Sequence, residues 1–403
     1  MVETAQPGWA PRIELSVKPE NRAGATRAAL PTIVFGIASI VSVATILSLV
    51  AHFTFWGDEW DFWLNPPVAP SDYFIPRNEH WSTVPYLIYR GVGASFGLRS
   101  YLPFMAPLLI AHVACAAGIL MLGRASWLAT GIAVLVLFLG SGGEDLLWGW
   151  QVGFVLASAL GVWAFVMLER GRVKTAAGLL FVGVMTAGIE LAFLGAAVIY
   201  LLARRDRRVA WLGAPAAAYV IWYLAFGRSS IAAIQDPFTA SSLLATPGFA
   251  AQGIVFALGG ITGLNLAGVL TIPAFVRRID PLVVAAVAGI LIEYVLIGLV
   301  RSHVGESSSV PRYVYPAAAL LAIAVVRQRP RWPRITTAAL GVAIAVNVGA
   351  LILHGWPWSR LTVSDPFGCI AERSIDNLII RAQPGLFAIP DAFRCEADPP
   401  EHQ

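Results

Sequence analysis

Charge is scarce in this chain. Only 13% of its 403 residues are Asp, Glu, Lys or Arg, against roughly one-quarter in soluble globular domains, so most of the sequence belongs in lipid. Lysine is nearly absent, and no basic stripe or interleaved aromatic platform occurs in a polar segment, which argues against nucleic-acid binding. Of three cysteines only Cys369 and Cys395 share a segment, and two alone are too few to suggest a zinc site. The chain has no Walker loop, no dinucleotide fingerprint after a strand and no convincing Ser-His-Asp order. Internal repeats and low-complexity linkers are lacking too. No small-residue cleavage site follows the first apolar run, so that run reads as a retained span.

What fills the chain is apolar: 57% of residues are hydrophobic, and the mean hydropathy is +0.70. A span needs about 20 apolar residues to cross roughly 30 Å of hydrocarbon. The candidates are Leu30–Phe53, Tyr101–Leu122, Trp127–Gly140, Val152–Leu168, Val209–Phe226, Phe249–Phe275, Pro281–Val300, Tyr313–Val326 and Ile335–His354. The run Thr175–Ala203 is either one long tilted helix or two short ones folded back at Gly188–Glu190. Arginine placement favours the second. The N-terminal tail, Arg124, Arg170–Lys174, Arg204–Arg208, Arg277–Arg278 and Arg327–Arg334 all fall on the cytoplasmic side only if that run crosses twice. The expectation is an all-α polytopic membrane protein with eleven crossings, N-terminus in and C-terminus out. Residues 1–30 form a cytoplasmic tail, 31–354 the membrane domain with a long first outer loop at 54–100, and 355–403 an outer tail. The formal net charge of +4, mostly arginine in short loops, then serves as an orientation signal. Abundant Arg, Ala and Gly beside so little Lys suggest a GC-rich bacterial genome, hence a bacterial plasma membrane.

With that topology the acids gather outside. In Phe55-Trp56-Gly-Asp58-Glu59-Trp60-Asp61-Phe-Trp63, three acids stand among aromatics just beyond the first span. They form either a solvated loop anchored by interfacial tryptophans or a general base beside sugar-stacking rings, since a base works best where water is partly excluded. Further on, Trp81, Val84, Leu87, Ile88 and Val92 share one face of an amphipathic helix, with Pro85 in its first turn, suited to lying on the membrane surface. Glu79 and His80 are hydrogen-bonding candidates toward a substrate or toward the loop itself, and with Asp58 they offer a weak divalent-cation site; no cofactor beyond such a cation is indicated. Arg301, His303, Glu306 and Arg312 surround a hydroxyl-rich loop ahead of Tyr313. The arginines either bind lipid headgroups or hold a phosphate leaving group. Gly142-Gly-Glu144-Asp145 through Gln151 either lines the same pocket or is a turn with two interfacial tryptophans. Glu190 sits at the tip of the short hairpin, facing outward. Glu293 lies about two turns below the outer end of its span and faces the bundle interior. Cys115 is a small apolar residue inside a span. Cys369 and Cys395 lie in the outer tail, where a disulfide closing that loop of about 26 residues contributes roughly 3 kcal/mol.

Three of these motifs together resemble the GT-C superfamily of membrane glycosyltransferases, in particular the protein O-mannosyltransferase and aminoarabinose-transferase branch. Asp58-Glu59 directly follows the first span. His80, Pro85 and the amphipathic helix lead to Phe96-Gly-Leu-Arg99-Ser-Tyr-Leu-Pro103, and Pro311-Arg312-Tyr313-Val-Tyr-Pro316 opens a late span. The resemblance implies a polyprenyl-phosphate-linked sugar donor used on the outer face, with inversion at the anomeric carbon. It implies Asp58 as base, Glu59 as a second pocket acid, Arg312 as a phosphate contact and His80 as a loose match to a family histidine. Here the motif reads His-Trp-Ser-Thr-Val-Pro instead of His-Pro-Pro. The short outer tail favours a compact lipid or glycan acceptor over a folded protein. A transporter or flippase, sensitive at Glu293, and a non-catalytic envelope scaffold are the rival expectations.

Overall fold

A backbone in hydrocarbon finds no water to hydrogen-bond, so apolar segments must satisfy their own amides as helices. The computed structural model describes residues 22–51, 53, 55, 59, 61–64, 67–98, 100–234, 237–264, 268–270, 276–302 and 306–358. Among them the chain is all-α, and eight helices are long and apolar enough to cross a membrane. It is a polytopic α-helical membrane fold. The principal helices are α1 (Arg22–Leu49), α2 (Thr83–Phe96), α3 (Leu102–Leu122), α4 (Trp127–Leu137), α5 (Gly143–Leu147), α6 (Val152–Glu169), α7 (Val173–Val184), α8 (Glu190–Ala203), α9 (Gly213–Trp222), α10 (Ala240–Thr262), α11 (Pro281–Arg301), α12 (Val314–Val325) and α13 (Pro333–Trp358).

Local chemistry sets the ends. Ser126 caps α4 by accepting from the Ala129 amide at 3.2 Å, and Asp280 caps α11 by accepting from Leu282 and Val283 at 2.9 and 3.0 Å. α12, apolar on all sides, is buried along almost its whole length and forms the centre of the bundle. Around it α11 packs on α8 and α10, and α6 on α3 and α7.

The run at 175–203 is two helices with a break at Met185–Ile189. α7 starts just after Glu169, and Arg204, just after α8, returns to Glu169 at 3.5 Å, so the chain doubles back on itself. The tip touches the opposite end of the bundle: the Val84 amide donates to the Met185 carbonyl at 3.1 Å. With 12 and 14 residues, the two arms are about 18 and 21 Å long.

Two expectations need correction. The span placed at Phe249–Phe275 is a helix from Ala240 to Thr262. Thr239 caps it by accepting from the Ser242 amide at 3.2 Å, and Gly263 ends it in the left-handed region at φ +71°. Ser241, Ser242, Thr246 and Pro247 hid the start of the helix from hydropathy, and apolar residues continuing past the glycine blurred its end. In α2 the side packed into the protein is Thr83, Pro85, Tyr86, Tyr89 and Gly93, while Leu87, on the expected apolar face, is exposed. Both faces are non-polar, and Tyr89 takes the interior with its hydroxyl donating to the buried Glu59 at 2.7 Å.

Candidate active site

The turn ahead of α2 is built from strained backbone. Arg77 and His80 exchange two backbone hydrogen bonds of 3.1 Å around Asn78 and Glu79, both left-handed at φ +46° and +62°. Positive φ at Glu79 costs on the order of 1 kcal/mol and persists only where the surroundings fix it. Arg77 anchors the turn, its guanidinium stacked 4.3 Å over the Tyr86 ring. The result aims Glu79 and His80 into a cavity of about 510 Å³, whose wall also includes Trp148, Trp150, Glu293, Arg301, Arg312 and Tyr313.

Arg301 ends α11 and is paired with Glu79. Its Nε also lies 3.4 Å from Glu306. Arg312 donates to Glu144 at 3.0 Å and to the other oxygen of Glu306, which the Tyr313 hydroxyl reaches at 2.8 Å. Two arginines thus close on one carboxylate, with Glu79 and Glu144 on their outer sides. This network joins three segments far apart in sequence.

The His80 ring lies edge-on to Phe154 at 5.4 Å, and its Nδ1 accepts from the Gly188 amide at 3.4 Å. Burial deep in the wall, reinforced by the charges of Arg301 and Arg312, pushes its pKa down to about 4. The ring keeps some contact with the cavity but is neutral near pH 7, with its proton on Nε2.

Glu59 stands behind this wall. It is fully buried and accepts from the Tyr89 and Tyr101 hydroxyls at 2.7 and 2.6 Å. The Gly149 amide in turn donates to the Tyr101 oxygen at 2.7 Å, which ties the cluster to the backbone between Trp148 and Trp150. Burial first, and then the Glu59 charge, raise the Tyr89 pKa well above the usual range, so its hydroxyl remains a donor. Glu59 is therefore held by the scaffold and is not among the residues lining the cavity.

Of the residues singled out in the sequence, Glu79, His80, Arg301, Arg312 and Tyr313 line one cavity, and Glu144 joins them through Arg312. Glu190 lies elsewhere, fully buried, with its carboxyl group against Gly183 and no hydrogen-bond partner among the described residues. Asp61 opens a short helical turn, Asp61–Leu64. Trp56, Asp58, Trp60, His303, Cys369 and Cys395 fall outside the described residues. Among the described residues no three His, Cys, Asp or Glu side chains stand together as metal ligands.

The sequence had not joined Glu293, Phe154, Tyr219 and Tyr223 to this site, yet all line the cavity. For Glu293 a signal existed. Residues 293, 296, 297, 300 and 301 recur at helical spacing, which places the acid on the same face as Arg301. No family model matches this chain, and no curated protein or solved structure shows significant similarity to it.

Proposed function

We propose that this chain is a membrane glycosyltransferase moving a sugar from a polyprenyl-phosphate donor to a lipid or cell-envelope glycan acceptor. The observation that carries the reading is the Glu306 carboxylate held between Arg301 and Arg312, both of which line the cavity. Two guanidinium groups converging on one anion suit phosphate oxygens, and in this reading Glu306 yields its place to the donor phosphate. Trp148 and Trp150 offer ring faces to a sugar, and Leu296, Ile297, Val300 and Phe238 offer an apolar wall to the lipid.

An acceptor hydroxyl oxygen attacks the anomeric carbon. The bond from that carbon to the phosphate oxygen breaks, and polyprenyl phosphate departs with the electron pair. A carboxylate takes the acceptor proton, and the anomeric centre inverts. Asp58 is the proposed base, on the strength of the family resemblance, one residue from the anchored Glu59. Phosphate is already a good leaving group, so positioning and positive charge supply most of the catalysis.

The eight long helices and three shorter apolar ones make up the eleven proposed crossings. Charge segregation supports the orientation. Glu169 meets Arg204 and Arg327 at one end of the bundle, while Glu79, Glu144 and Glu306 meet Arg301 and Arg312 at the other. By the arginine rule the first end is cytoplasmic, and the cavity faces outward from a bacterial plasma membrane.

The test is release of polyprenyl phosphate from a panel of polyprenyl-phosphate sugars, comparing wild type with Asp58→Asn. Release with one donor, abolished in the variant, is expected. Equal release by both moves the base away from Asp58. No release with any donor, even with membrane extract as acceptor, overturns the reading in favour of a transporter. That second reading draws on Glu293, a buried acid facing a cavity at membrane depth.

A further inference from the structure

Glu293 is 2% exposed, and neither of its carboxyl oxygens has a hydrogen-bond partner among the described residues. A carboxyl group buried at membrane depth without a partner is costly, and such groups characteristically mark a ligand path. This one borders the cavity, where Gln151, Trp148 and Trp150 also stand. Gln151 is 3% exposed, and the two indoles are stacked with centroids 6.4 Å apart. An unsatisfied carboxyl, an amide and flat aromatic faces are the groups that recognise a pyranose: oxygen acceptors for ring hydroxyls, π-faces for the C–H side.

The spacing fits a two-part ligand. Glu293 and Arg301 are eight residues apart on one helix, a rise of about 12 Å. Side chains lean toward the helix N-terminus, which brings the guanidinium closer to the acid. The arginine end suits a phosphate, and the glutamate end suits the hydroxyl groups of a sugar ring.

We infer that Glu293 is the hydroxyl-recognising residue of a monosaccharide subsite, shared with Gln151, Trp148 and Trp150. The inference rests on the glycosyltransferase reading for its phosphate end only. The ring it receives belongs either to the donor or to the acceptor, and competition separates the two.

The experiment uses the purified full-length protein in detergent, with tryptophan fluorescence as readout, a panel of methyl glycosides and, separately, polyprenyl phosphate without sugar. Wild type is expected to bind at least one glycoside saturably. Glu293→Gln, nearly isosteric, should weaken that binding about tenfold or more while leaving polyprenyl phosphate binding unchanged. Arg312→Gln should do the reverse. Glu293→Asp, which shortens the side chain yet keeps the acid, should give an intermediate loss; it also serves if the Gln variant fails to fold by size exclusion. Displacement of the glycoside by the sugar-bearing donor, but not by polyprenyl phosphate, assigns the subsite to the donor sugar. Simultaneous binding of glycoside and donor assigns it to the acceptor. The inference is overturned if no glycoside binds wild type, or if Glu293→Gln binds glycoside normally or loses both ligands equally. Glycoside binding without polyprenyl phosphate binding leaves the subsite standing and removes the phosphate reading instead.

Discussion

Arg301 and Glu79 are ion-paired across 222 positions of sequence, and the acid sits at the left-handed corner of the turn that also delivers His80 to the cavity. Both side chains are mostly buried, so the pair couples the end of α11 to the loop before α2 more firmly than a surface bridge does. The two partners carry opposite predictions for anion binding. Arg301→Gln removes a cation and should weaken polyprenyl phosphate binding about tenfold, the value of one charge-assisted hydrogen bond. Glu79→Gln releases the same cation from a competitor and should strengthen binding. Equilibrium titration of both variants checks this; weaker binding in Glu79→Gln means the residue acts by holding the turn and not through its charge.

The Glu59 cluster makes a graded prediction. Tyr89→Phe removes one hydrogen bond to a carboxylate. Tyr101→Phe removes one as well and also takes the acceptor from the Gly149 amide. Hydrogen bonds to charged groups contribute about 1.5 to 3 kcal/mol, and a stranded buried amide adds a penalty of its own, so Tyr101→Phe should cost roughly 1 to 2 kcal/mol more than Tyr89→Phe. Thermal unfolding in detergent measures the order. Equal losses would mean that Gly149 finds another acceptor.

α13 crosses the chain at Gly140 with almost no gap. A Cβ at Gly140 would collide with the Asn347 carbonyl and the Leu351 amide, both backbone atoms that cannot rotate aside. Beside it the Asn347 side chain accepts from Ser141 N and Oγ at 3.0 and 2.9 Å and donates to the Gly260 and Ile261 carbonyls at 3.2 and 3.1 Å. Inter-helical hydrogen bonds in membranes average only about 0.6 kcal/mol each, whereas overpacking costs about 1 to 3 kcal/mol. The four bonds of Asn347 together then contribute about 2.4 kcal/mol, within the overpacking range, so Gly140→Ala should destabilise about as much as Asn347→Ala, despite adding one methyl group and removing no bond. Unfolding midpoints of the two variants decide the matter.

Much of this architecture was legible because hydropathy and arginine placement act over whole segments. The doubling back of 175–203 followed from where Arg204–Arg208 had to lie, and the structure returns Arg204 to Glu169. The pairing of Arg301 and Arg312 with Glu79 and Glu144 could not be read that way, since those acids come from distant segments and meet the arginines only through tertiary packing, whereas Glu306 lies between the two arginines in sequence. Burial was hidden from the sequence for related reasons. Glu59 resembled a pocket acid, but two tyrosine hydroxyls draw it into the scaffold, and nothing in local sequence specifies which tyrosines they are. Glu293 carried a readable helical spacing to Arg301, although the value of that spacing emerges only once the cavity gives both residues something to face.

His80 supplies a pH test. Its pKa in the folded protein is about 4, against 6.5 for the free side chain. Between those values the unfolded chain binds a proton that the folded one refuses, so this residue makes stability fall as pH drops from about 6.5 toward about 4 and contributes no slope above that window. His80→Gln keeps an acceptor for the Gly188 amide but cannot titrate. Its unfolding midpoint should therefore decline less steeply than that of wild type between pH 6.5 and pH 4, with the two curves parallel above pH 7. The difference between the curves isolates His80 from the carboxyl groups, which titrate in both proteins. Parallel curves throughout would mean that the folded protein protonates His80 as readily as the unfolded chain does. In that case a third cation would stand beside Arg301 and Arg312 at mildly acidic pH, and the neutral Nε2–H donor would be confined to pH above about 6.5.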